Sequence, residues 1–413
     1  MNLTKSETNN AIIVRLEDVR KHPNADRLKL AAVLGTQVIV GLDAKDGDLV
    51  VYFDSNLRLS DAYLKANNLY SNKELNADQK KSGYFGGNGR VRAQKFRGEM
   101  SNGLVMPLSS IDLVASHPNI ATSVSVPSSE KLLVGNEFTH VNGIEICSKY
   151  IVPRNIPGQP GSRNRFRKTR RPMSFMFHQH WDTKQLMRCY HTIPTDSVAY
   201  IEEKIHGTSG RTGHMLTDTF RPWYKPWIQK RKWMTLSGTR RVDHIGSHMP
   251  VEREEIRLSL DGKLHQGETV YYEIFGYMKS GGMVQPGFPY GCEPGQYKVM
   301  LYRVTITTPD NFTFDLPREA VYHRTDELGM VKPALYERFT VSGDLARDCL
   351  IKSIADDYVH GNSAWANHMK EGVVVWFQQT DGTWSCFKHK SDEYYLNDDL
   401  MKEKNIGDIE DVL

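Results

Sequence analysis

The 413 residues, 39% hydrophobic and 25% charged, read as an ordinary soluble globular protein of two or three domains. Residues 1–10 are polar, without a secretory pattern, and no stretch reads as a membrane span, so a cytoplasmic protein with no membrane partner is the expectation. Cys147, Cys189, Cys292, Cys349 and Cys386 lie far apart without CxxC or Cys/His spacing, which argues against a zinc site and a disulfide framework. A formal net charge of +4 is too small to imply a nucleic-acid partner, but the charge is unevenly placed.

The amino-terminal part predicts a small β-rich domain. Apolar runs at 11–16, 28–33, 37–41 and 49–53 are separated by Gly, Asn and Asp turn signals, which suits a barrel better than a helix bundle. The spacing Leu59, Ala62, Tyr63, Ala66, Leu69 predicts a helix over 57–70. Further on, strand alternation over 90–97 puts Arg90, Arg92, Gln94 and Phe96 on one face and Lys95 and Arg97 on the other. Cations beside an aromatic ring suit a nucleic-acid groove; a solvated strand edge guarded by charge is the competing reading. His22-Pro23-Asn24-Ala25-Asp26-Arg27-Leu28 and the run from Arg90 to Gly98, with Ser101-Asn102-Gly103-Leu104, resemble OB-fold tRNA-binding modules.

Residues 151–177 contain no acidic residue and carry Arg154, Arg163, Arg165, Arg167, Lys168, Arg170 and Arg171 among Pro and Gly. That composition describes a solvated linker, either plain or lying along RNA phosphates. Beyond it, alternating strands and helices are expected, including a helix over 345–358. Residues 219–233 interleave Trp223, Tyr224, Trp227 and Trp233 with basic side chains, a pattern for stacking on nucleic acid or for ordinary packing beneath a long hairpin.

The chemistry centres on Glu203-Lys204-Ile205-His206-Gly207-Thr208. A lone Lys-x-x-Gly occurs by chance about twice in such a chain. Here it is followed in order by Ser237-Gly238-Thr239-Arg240-Arg241, by Glu273 in a β-forming run, by Glu371 just before Val373-Val374-Val375, and by Phe387-Lys388-His389-Lys390. A lysine amine attacks phosphorus only when neutral, so its site must lower a pKa of about 10.4. Lys388 and Lys390, two apart on a strand, point to one face and would supply the repelling charge while neutralising a phosphate. Glu273 and Glu371 call for a sugar hydroxyl, a hydrated metal or a basic side chain as partner. His206 either contacts phosphate, orients the lysine or is structural, and Arg240 offers a planar fork for phosphate or ribose.

The ordered set resembles the covalent nucleotidyltransferase superfamily of RNA ligases, DNA ligases and capping enzymes. With an amino-terminal OB-like part, Phe177-His178-Gln179-His180-Trp181-Asp182-Thr183 ahead of the lysine, and only a short stretch after Lys390, the chain is similar to the RNA ligase 5 family. The basic linker and the insertions around Trp223 and Gly281 exceed that family's pattern.

The resemblance implies an α+β protein: an OB-like β-barrel (1–150), a basic linker (151–177) and an ATP-grasp-like nucleotidyltransferase domain of antiparallel sheets flanked by helices (178–413). It implies Lys204, Lys388 and Lys390 as catalytic, and an ATP site from Glu203, His206, Gly207, Arg240, Glu273, Glu371 and either Tyr302 or Val304 as the adenine-stacking side chain. Glu371 and Glu273 would serve Mg²⁺ or Mn²⁺. RNA would be held by Arg90, Arg92, Lys95, Arg97, Arg167, Lys168, Arg170 and Arg171. The implied activity is an ATP-dependent RNA ligase, acting as a monomer on nicks in duplex. The alternatives are a noncatalytic RNA- or tRNA-binding protein and a DNA ligase or GTP-dependent capping-type enzyme.

Overall fold

A computed structural model describes residues 2–115, 132–151, 174–218, 224, 227, 230–240, 243–244, 250–341, 353 and 357–403. The chain divides into two compact units: Met1–Pro153 with Lys390–Asn405, and Arg154–His389 with Ile406–Leu413. Residues 390–405, which the sequence limits put in the second domain, are thus grouped with the first.

In the first unit, four strands pair in the order Leu104–Pro107, Leu49–Phe53, Ala11–Arg15, Glu137–Phe138, and three more in the order Glu17–Lys21, Leu28–Val33, Thr36–Gly41. Ala11–Arg15 and Leu49–Phe53 are apolar at nearly every position because both of their faces are buried. Ile13, Val51 and Phe53 join one core with Leu57, Leu59 and Tyr63, while Ile12, Val14, Val50 and Tyr52 join another with Ala31, Val38 and Val40. The helix expected over 57–70 is shorter than its pattern. Leu57–Leu59 is a strand, with Leu57 and Leu59 buried and Arg58 exposed between them, and the helix is Asp61–Ala66, capped by the Ser60 hydroxyl on the Tyr63 amide. Pairing with Cys147–Lys149 overrode the helical spacing at its start.

The carboxy-terminal helix Asp392–Glu403 packs on the hairpin Ala93–Phe96/Glu99–Asn102. Asp399 takes the Arg90 guanidinium, with both side chains buried, and also accepts from the Ala93 amide. Arg92 meets Glu403 at 2.6 Å on a more open surface, and Asp392 accepts from the Thr36 hydroxyl and from Asn102 at 3.2 Å.

The second unit holds two sheets. One has five strands, in the order Lys184–Gln185, Trp384–Lys390, Gly372–Gln378, Val198–Lys204, Leu335–Thr340. The other has six antiparallel strands, in the order Asp243–His244, Arg231–Thr239, Thr208–Asp218, Glu268–Gly276, Tyr297–Thr307, Thr313–Asp315. Helices Val251–Leu260 and Arg318–Leu328 complete an α+β architecture. Alternation sorts the five-stranded sheet by face. Ala199, Ile201, Val373, Val375, Phe377 and Phe387 form a core on one side, while Tyr200, Trp376, Trp384 and Cys386 pack on the other.

The helix expected over 345–358 lies largely outside the described residues, as do Trp223 and the linker cations Arg167, Lys168, Arg170 and Arg171. Of the other rings in the 219–233 segment, Trp233 packs with Met176, Met215 and Leu236 and stacks on His214, whereas Tyr224 and Trp227 are exposed. No helix among the described residues is long and apolar enough to cross a membrane.

The two arginine pairs of the first unit should behave differently. Arg90→Ala leaves Asp399 buried without its counter-charge and should cost about 3 kcal/mol; Arg92→Ala, in a half-exposed pair, should cost under about 1 kcal/mol. The first unit contains no tryptophan. Hydrogen exchange of strands Ala11–Arg15 and Leu49–Phe53 under increasing urea is therefore the suitable readout, and equal losses for the two variants would contradict the assignment.

Candidate active site

Lys204 ends the strand Val198–Lys204, where its antiparallel partner Gly372–Gln378 begins. The register Glu203↔Val373, Lys204↔Gly372 brings Glu371 beside the lysine although 167 residues separate them. Lys204 Nζ donates to Glu371 Oε2 at 2.9 Å, and His206 Nδ1 lies 3.8 Å from the same oxygen. The Glu371 side chain is 1% exposed and that of Lys204 25%, so the carboxylate is fixed and the amine keeps access to the outside.

The turn Ile205-His206-Gly207 carries the chain from the five-stranded sheet into the six-stranded one. A Cβ on Gly207 would stand 2.3 Å from the Ile274 carbonyl oxygen and 2.8 Å from Glu273 Cγ, so only glycine permits this approach. Across the pair Ser209↔Glu273, the Ser209 hydroxyl donates to Glu273 Oε2 at 3.0 Å. Arg253 supports the same strand by donating to the Ser209 carbonyl at 2.9 Å and the Thr208 hydroxyl at 3.1 Å.

Neighbouring carboxylates divide their work by strand parity. Glu202 accepts from the buried Arg318 guanidinium and from the Tyr322 hydroxyl. Glu203 points the other way and receives the Tyr336 hydroxyl at 2.7 Å, the Ala364 amide at 2.7 Å and the Ser363 hydroxyl. Its three donors make it a brace for the segment preceding Glu371. In that segment Lys370 donates to the Tyr358 carbonyl at 2.9 Å over the Tyr336 ring, and burial lowers its pKa.

On Trp384–Lys390, Lys388 shares its parity with Trp384 and Cys386, the face on which Tyr200 and Trp376 pack, while Phe387 enters the opposite core. Lys390 ends the strand with its ammonium 4.5 Å from the Tyr394 ring centre.

Tyr302 and Val304 separate cleanly. A bulge in the pairing of Glu268–Gly276 with Tyr297–Thr307 pairs Tyr271 with Arg303 and Tyr272 with Leu301, so that Tyr302 is passed over. Val304 stays in the core with Leu301 and Val270, whereas Tyr302 packs with the Tyr200, Trp376, Trp384 cluster. Arg303 lies against Trp181, 3.4 Å from its ring centre, and ion-pairs with Asp315. Burial, then Arg303 and Arg240, hold His180 well below the usual histidine range, so it stays neutral and accepts from Arg303 at 3.3 Å. Arg240 pairs with Asp182.

Of the residues expected from the sequence, Lys204, His206, Gly207, Glu273 and Glu371 gather around one turn, and Lys388 and Tyr302 lie on elements facing the same aromatic cluster. Lys95 and Arg97 are exposed, with Phe96, at the tip of their hairpin; Arg90 is spent on Asp399. Sequence reasoning missed Tyr290, Gln285 and Arg253, which belong to no motif and reach the turn only through the folded chain.

Among the described residues no group of three or more His, Cys, Asp or Glu is gathered to ligate a metal. Glu371 and Glu273, the carboxylates beside the turn, would suit a hydrated divalent cation that kept most of its water.

An OB-fold domain family model matches residues 10–108. No curated protein matches. Among solved structures, a mutant of Naegleria gruberi RNA ligase without ligand is similar, with a TM-score of 0.57 and 16% identity over 94% of this chain and 97% of that one. Another mutant of that enzyme, with ATP and Mn, gives 0.54 and 15% over 95% and 99%, and the form with PPi gives 0.54 and 16% over 96% and 99%. At such identity the likeness speaks for the fold. The chain has an amino-terminal OB-fold domain and, over nearly its whole length, the fold seen in that enzyme.

His389, between the two lysines, provides a pH test of this arrangement. Burial, with His360 adding to it, pushes its pKa down to about 4 from 6.5. Between these values the unfolded chain binds a proton that the native one does not, so stability falls on acidification through that window and levels off below it. The full loss is on the order of 3 kcal/mol. His389→Gln should flatten the profile between about pH 6.5 and 4 in chemical denaturation; an unchanged slope would contradict the burial.

Proposed function

We propose that the protein is an ATP-dependent RNA ligase of the RNA ligase 5 type, joining 3'-hydroxyl and 5'-phosphate ends at nicks in duplex through lysyl-AMP and RNA-adenylate intermediates. The observation that carries this reading is the Lys204–Glu371 pair at 2.9 Å, set at a strand end beside Gly207 and Glu273 in a fold of the RNA-ligase type.

Lys204 is partly exposed beside a buried carboxylate, so an incoming nucleotide has access to the amine while Glu371 fixes its direction. In the first step the neutral amine nitrogen bonds to the α-phosphorus of ATP, the bond to the bridging β-phosphate oxygen breaks, pyrophosphate leaves with that electron pair, and the nitrogen's extra proton passes to water. Glu371, aided by Glu273, would hold Mg²⁺ or Mn²⁺, and the ion would neutralise phosphate charge. Lys388 and Lys390 add positive charge for the phosphates, His206 orients the turn, and Tyr302 stacks on adenine. Arg240 and Glu273 serve the ribose.

AMP then passes to an RNA 5'-phosphate, and a 3'-hydroxyl displaces it to close the phosphodiester. Lys95 and Arg97, with the linker cations Arg167, Lys168, Arg170 and Arg171, are proposed to contact RNA phosphates; Arg90 and Arg92 are held by Asp399 and Glu403 and would contribute less.

Incubation with ATP labelled at the α-phosphate and Mg²⁺ or Mn²⁺ should attach label covalently, and chelation should prevent it. GTP should not substitute. A nicked duplex with RNA on the 3'-hydroxyl side should then be sealed. Retained RNA binding with neither labelling nor sealing under any metal would point to a noncatalytic RNA-binding protein instead.

A further inference from the structure

The segment between the strands Glu268–Gly276 and Tyr297–Thr307, residues 277–296, folds back onto the turn after Lys204. It closes on itself through Tyr277 N–H to the Gln296 carbonyl at 2.8 Å and Val284 N–H to the Gly276 carbonyl at 2.9 Å. Two of its buried side chains then grip the turn. The His206 amide donates to the Tyr290 hydroxyl oxygen at 2.7 Å, and Gln285 Nε2 donates to the Gly207 carbonyl at 2.8 Å. Phe288 meets the His206 ring edge to face at 4.9 Å.

Tyr290 also reaches the other side of the site. Its backbone N–H donates to His368 Nε2 at 3.3 Å, three residues before Glu371, with the two rings 4.6 Å apart. It does so from a left-handed backbone, φ 49°, which a buried aromatic residue occupies only at a cost in strain. Burial, with Glu371, Glu203 and Glu273 around it, pushes its hydroxyl well above the ordinary tyrosine range, so the group accepts from His206 without ionising. A strained residue that bonds the nucleophile's turn and the segment of its carboxylate partner is an expensive way to build a mere surface loop.

We infer that the 277–296 segment is a clamp on the nucleophile's turn, with Tyr290 and Gln285 as positioning residues that fix the direction of Lys204. This rests on the proposed ligase reading. Positioning residues that touch the turn rather than the nucleotide act on the rate of bond formation and leave ATP binding nearly alone.

The test is single-turnover formation of lysyl-AMP over a range of ATP concentrations for the wild type, Tyr290→Phe, Gln285→Leu and the double variant. Tyr290→Phe keeps the ring and the backbone contact to His368 and removes only the oxygen. Each single variant should lower the saturating rate about tenfold while moving the half-saturating ATP concentration less than about twofold. The double variant should fall short of the product of the two, because both contacts hold the same turn. Saturating rates within about twofold of wild type in both single variants, or losses expressed in half-saturation, would overturn the proposal. If Tyr290→Phe does not fold, Gln285→Leu decides alone. A wild-type protein that forms no lysyl-AMP removes the ligase reading itself, an outcome distinct from wild-type labelling with unaffected variants.

Discussion

The register of Val198–Lys204 against Gly372–Gln378 is the constraint on which the site depends. Both strands change character at one end of the sheet, so Lys204 and Glu371 meet where backbone pairing stops and side chains can turn toward a ligand. A slip of one residue would exchange the faces, sending Lys204 toward the apolar core and Glu203 toward the side Lys204 now occupies. The core on the other face resists that slip, because Ala199, Ile201, Val373, Val375 and Phe377 would all lose their packing.

Gly207 turns this local geometry into a link between the sheets. Its missing Cβ lets the turn rest against the Ile274 carbonyl, which brings Glu273 and Ser209 of the second sheet to the lysine's side of the fold. Around this point the buried charges are paired: Glu202 with Arg318, Arg303 with Asp315, and Glu203 with three donors. Such pairs are weak sources of net stability but leave few alternative arrangements for the strands that carry them. Glu371 differs from them, since its partner Lys204 is a side chain still open to the outside.

Much of the candidate site's gathering was legible because its residues stand in short runs. Lys204, Gly207, Glu273 and Glu371 stand in order along the chain, and simple alternation separates Lys388 from Phe387. Less local information was harder to read. The bulge that puts Tyr302 and Val304 in different clusters has no sequence signature, and periodicity alone gave Leu57–Leu59 to a helix that pairing made a strand. The partner of Arg90 lies 309 residues away in the carboxy-terminal helix, so a cation that looked available for RNA is held within the first unit. Tyr290 and Gln285 were invisible for the same reason: a loop residue announces its contact only after the chain has closed around it.

The most direct measurement is mass spectrometric mapping of the protein after incubation with ATP and Mg²⁺ or Mn²⁺. The account predicts one AMP adduct, in phosphoramidate linkage, on the peptide containing Lys204, with Lys388 and Lys390 unmodified. An adduct on another lysine, or turnover of ATP by a Lys204→Ala variant that still forms an adduct, would contradict it.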